Sequence, residues 1–209
     1  MIYRINNMII SVNIMAAAIN YGIDFSSNMQ SLDDDYLSTL AKLPKNYSEE
    51  DKFTLINLVE KFKVAMSYLH VNDHTKFWNV LKTILENEII FRELVLIIHS
   101  DPNEYMKYED FELNSIIWRF GVYNNFRLLL LQELSNVITN LYEKAKLFLH
   151  VNSSVAKKVV HQADRVSKFY VTQFKSIKVS DIIKEDNLIE NCVEIVNSTI
   201  QMGKDSLKI

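Results

Sequence analysis

The chain has 209 residues, a formal net charge of −3, 48% hydrophobic residues and 23% charged residues. That length and balance suit one substantial core and exclude wholesale disorder. Only three Gly, two Pro and one Cys occur, which excludes an internal disulfide and a cysteine-based zinc site and leaves few turn formers for a sheet protein.

Such scarcity of Gly and Pro predicts long helices joined by short polar connections. The expected fold is all-α: a single irregular bundle of about six to eight helices over residues 1–209, with 1–45 its most loosely packed part. Residues 8–18 are moderately apolar behind Arg4 and read as an amphipathic first helix over 8–20. The alternative is a cleaved leader with Ala16, Ala17 and Ala18 at the cut. Asp33, Asp34 and Asp35 open a short helix to about Lys42, their carboxylates facing free N–H groups.

After Pro44, Ser48-Glu49-Glu50-Asp51 has the pattern of a helix start. Leu55, Leu58, Val59, Phe62, Ala65, Met66 and Leu69 then recur at helical spacing. This helix stops near Val71-Asn72, and Asp73 is placed to cap the next. Residues 74–98 follow as a helix so apolar over 89–98 that a central position is expected. Asp101-Pro102-Asn103-Glu104 combines an N-cap, a proline at the first position and an early acid. The helix it starts is expected to break around Glu109 and Asp110 and to end at Gly121.

The strongest helix is predicted over 122–150, with Phe126, Leu130, Leu134, Val137, Leu141, Ala145 and Phe148 forming a packing seam. Residues 151–154 read as a hinge. A basic helix over 155–178 follows, then a last helix from Asn187 with Leu188, Cys192, Ile195, Val196 and Thr199 inward. No window of about 18 uncharged apolar residues exists, so no integral membrane span is expected. The nearest, 113–131, is interrupted by Arg119, Asn124, Asn125 and Arg127.

Charge is segregated. Residues 142–178 hold eight Lys and Arg against Glu143 and Asp164, so an acidic chain contains a segment of net +6. Within it, Val155, Val159, Ala163, Val166, Tyr170, Phe174 and Ile177 fall on one helical face. Lys157, His161, Arg165, Lys168 and Lys175 fall on another. A row of positive heads about 5–6 Å apart can follow the phosphates of a nucleic acid. The solvated face of a bundle helix carries cations equally well, so the functional reading requires that they be accessible and unpaired. Lys144, Lys157, Lys158, His161, Arg165, Lys168, Lys175 and Lys178 are the candidate nucleic-acid-binding residues, with RNA the expected partner or, failing that, acidic membrane lipid or an acidic protein surface.

Catalytic patterns are not found. His70 and His74 are four apart, but Asn72-Asp73 between them reads as a helix boundary that separates the two rings. Cys192 lies on the inward stripe of its helix. No phosphate loop, nucleophile elbow or dinucleotide fingerprint appears, so no enzyme activity, cofactor or metal is expected.

The composition resembles that of small helical accessory proteins of RNA viruses, some of which bind double-stranded RNA. The expectation is thus a cytoplasmic, non-enzymatic accessory protein binding RNA without sequence preference. Two alternatives are a module that sequesters a host protein or forms a homo-oligomer through an apolar helical groove, and a secreted helical lipid carrier.

Overall fold

The computed structural model describes residues 48–207, and every regular element among them is helical. The expected helices over 8–20 and 33–42, the loose packing of 1–45 and the cleaved leader concern residues outside that range.

Helix α1, Glu49–His70, starts as its sequence dictates: the Ser48 hydroxyl accepts the Asp51 N–H at 3.0 Å, and Glu49, Glu50 and Asp51 fill the first turn. It ends where Asn72 turns the chain in the left-handed region, φ 58°, which Asn adopts more readily than most residues. Asp73 then caps α2, His74–Ser100, accepting the Lys76 N–H at 3.1 Å.

Asp101 and Pro102 do start a helix, α3, but it lasts a single turn, Pro102–Tyr105. The chain restarts at Glu109, whose side chain and that of Glu112 form a capping box. From there α4 runs unbroken over Asp110–Phe148, 39 residues. Gly121 therefore does not end a helix. Glycine inside a helix costs only about 1 kcal/mol against alanine, and burial of Phe120, Gly121 and Val122 between helices outweighs that. Three shorter steps complete the chain: α5, Ser153–Lys175, capped by Asn152 through the Val155 N–H at 3.1 Å; α6, Asp181–Glu185; and α7, Leu188–Ser206.

The central helix is α4, which packs against α1, α2, α5 and α7. The 89–98 half of α2 was expected there but lies at the edge. Val95 and Ile98 are buried, Ile90 is exposed, and Phe91, Leu94, Leu96 and Ile97 are half-buried. The first half of α2 supplies the core instead, through Phe77, Trp78, Leu81, Ile84 and Leu85. An all-apolar stretch does not reach the centre when a longer helix already takes four neighbours.

One end of the bundle is latched by Asp51. Burial pushes its carboxyl pKa up, but hydrogen bonds from Arg119, Ser48 and Ser115 outweigh that and hold it below the usual range. Further along, α7 follows α4 in parallel, with Thr199 2 turns after Cys192 meeting Ser135 at 3.1 Å. Helix α5 runs back antiparallel to α4 and is seated by Tyr170. Around that ring stand His74, Phe77, Trp78 and Phe169, all edge-on, and Trp78 also meets Phe174.

Candidate functional site

The inward pole of α5 is settled by this packing. Ala163, Tyr170 and Phe174 are fully buried and Val166 nearly so, while Val155, Val159 and Ile177 are half-buried. At about 100° per residue, the opposite pole is the edge carrying Lys157, His161, Arg165, Lys168, Thr172 and Lys175. All six are exposed. From Lys157 to Lys175 the row covers about 27 Å of helix. The other candidates join it from nearby: Lys158 stands one position round the helix, Lys144 on the last turns of α4, and Lys178 just past the end of α5. These three are exposed too.

Pairing sets this surface apart. Outside 142–178, ten of the eleven Lys and Arg among the described residues are ion-paired, Lys61 being the exception. Inside 142–178, none of the eight has an ion-pair partner among the described residues. The one carboxylate on α5, Asp164, is already taken: Lys204 of α7 reaches it at 2.9 Å, and the Tyr142 hydroxyl donates to it at 3.1 Å. The positive charge of this face is consequently uncompensated by its own side chains.

Of the other residues considered for chemistry, His74 and Cys192 have structural partners. His70 is exposed at the end of α1, whereas His74 opens α2 and lies half-buried, its Nδ1 2.9 Å from the Tyr170 hydroxyl. Cys192 is buried with Arg127 Nη1 3.8 Å from its sulfur. Among the described residues no group of three or more His, Cys, Asp or Glu could hold a metal ion, and no helix is long and apolar enough to cross a membrane.

One cluster escaped the sequence reading. Glu88, wholly buried, accepts from Arg127 Nε at 2.6 Å and from Arg92 Nη2 at 2.9 Å. Arg92 continues to Asp186 at 2.6 Å, and both arginines donate to Asn124. A signal was present at Arg127, a lone charge between Phe126 and Leu128-Leu129-Leu130-Leu131, where a buried charge survives only if a partner reaches it.

An open groove of about 610 Å³ lies between α4 and α7. Most of its lining residues are polar types, including Gln132, Asn136, Thr139, Asn191, Glu194 and Ser198, with Ile195 and Met202 among them. Compared with known proteins, the chain matches no family model, no curated protein and no solved structure.

Proposed function

We propose that this protein is a binding protein rather than an enzyme, and that the α5 row contacts the phosphate backbone of nucleic acid, RNA first, without reading its sequence. The observation that carries the reading is the contrast in pairing: elsewhere among the described residues every cation but Lys61 is ion-paired, and those of 142–178 are not. Isolated surface cations gain little from the fold, so a fixed row of them adds attraction for a polyanion. Its outward positions are Lys, Arg, His and Thr, side chains that reach phosphate oxygens and carry no base preference in that role.

Four fixed cations, Lys157, Arg165, Lys168 and Lys175, neutralising one phosphate each imply a log–log salt slope of about −3.6 on a duplex. Affinity would then fall roughly 100-fold between about 50 and 200 mM salt. The test is a salt titration of binding to mixed-sequence RNA, repeated with Lys157→Glu, Arg165→Glu and Lys168→Glu combined. Loss of binding with unchanged helicity is the expected result. Absence of binding at low salt, or retained affinity in the variant, removes the proposal.

A further inference from the structure

The turn joining α4 to α5 displays apolar side chains among unpaired cations. Val151 is 83% exposed and Leu147 76%, and Leu149 between them is exposed as well. None of these side chains is needed to close the turn. That is done by backbone bonds from the Val151 and Asn152 N–H groups to the Phe148 carbonyl and by the Asn152 cap. Lys144 and Lys146 stand on the last turns of α4, and Lys157 and Lys158 within the first two turns of α5; all four are exposed. Over 142–163 the only acid is Glu143. The turn also stands clear of the α1–α2 corner: His74 meets α5 at Tyr170, 17 residues and about 26 Å along the helix from Ser153.

We propose that this turn is a membrane-surface site that docks on bilayers containing anionic lipid. Leu147, Leu149 and Val151 enter the boundary between headgroups and acyl chains, and the four lysines meet headgroup phosphates and carboxylates. Interfacial binding combines apolar burial with electrostatic attraction, and both components are present in one short stretch of chain. The apolar component separates this partner from nucleic acid, whose phosphate backbone gives Leu147 and Val151 nothing to bury against. The site shares Lys157 and Lys158 with the α5 row but stands on a different observation, the exposed apolar turn.

The test uses the whole chain with vesicles of phosphatidylcholine alone or mixed with phosphatidylserine, read by flotation at low ionic strength. Recovery is expected with the mixed vesicles and not with phosphatidylcholine alone. Leu147→Ser combined with Val151→Ser alters only exposed positions. It is expected to weaken mixed-vesicle binding by at least roughly tenfold while leaving RNA retention unchanged. Lys157→Gln with Lys158→Gln weakens both. No recovery with the mixed vesicles overturns the site. So does recovery undiminished by the serine variant, which would reduce the contact to electrostatic adsorption. Vesicle binding without RNA binding would sink the nucleic-acid reading and leave this one standing.

Discussion

Arg127 Nε donates to Glu88 Oε2 at 2.6 Å across the middle of the bundle, with 4% of the arginine and none of the glutamate exposed. The same carboxylate holds Arg92, which in turn holds Asp186 beside the start of α7. Helices α2 and α4 thus meet on one buried charge, and Arg92 ties the α6–α7 junction to it. Glu88→Gln preserves the volume but leaves the buried Arg127 guanidinium without its counter-charge, while Arg92 keeps Asp186. We expect a loss of about 3–5 kcal/mol in urea-unfolding free energy. A loss below about 1 kcal/mol would mean that water or another acid compensates Arg127.

Gly203 on α7 lies flat against the ring of Tyr142 on α4. A Cβ there would collide with three ring carbons, and the ring has no room to move because it is fully buried and tied to Asp164. Helix propensity alone favours Gly203→Ala by about 1 kcal/mol. The collision reverses the sign, and we expect destabilisation of about 1–3 kcal/mol by thermal or urea unfolding. A variant as stable as the parent would refute this close approach of α7 to α4.

Stability should fall as the solution becomes mildly acidic, through His74. Burial holds its imidazole below the usual 6.5, although Asp73 pulls the other way. The unfolded chain therefore binds a proton that the native one resists, and stability declines as pH drops below 6.5 toward the native value. The carboxylates of Asp51 and Asp73 are held low and lose their contribution only below about 3.8. The urea midpoint is expected to drop between about pH 7.5 and pH 5, and to drop less in His74→Gln. Equal slopes in the two proteins would assign the effect elsewhere.

Cys192 should be chemically quiet. Burial pushes its thiol pKa up, and the nearby Arg127 guanidinium only partly opposes this. A water-soluble disulfide reagent is expected to react slowly with the native protein and at once in denaturant. Rapid native reaction would show that the α4–α7 contact opens readily.

Helix existence was largely legible before any coordinates, because capping is local chemistry. Ser48, Asp73, Asp101 and Asn152 each accept the backbone N–H that their sequence context implies. The inward stripe of α5 was legible for the same reason, since steps of four and three need no knowledge of the partner. Two readings failed where the deciding neighbour was distant in sequence. Gly121 continues a helix because other helices bury its flanks, and residues 89–98 lie at the edge because α4 holds the middle. The buried Glu88 cluster was hidden likewise, for Glu86-Asn87-Glu88 looks like a polar helix edge until Arg127 is brought beside it. Of the candidate surface, the residues were legible but their lack of partners was not. That depended on Lys204 crossing from α7 to occupy Asp164.

Helix α4 extends about 58 Å without a joint, from the residues that grip Asp51 to the lysines beside the α4–α5 turn. It acts as a strut. Whatever seats itself on that turn stands at the far end of one continuous helix from the Ser115 and Arg119 side chains that hold α1.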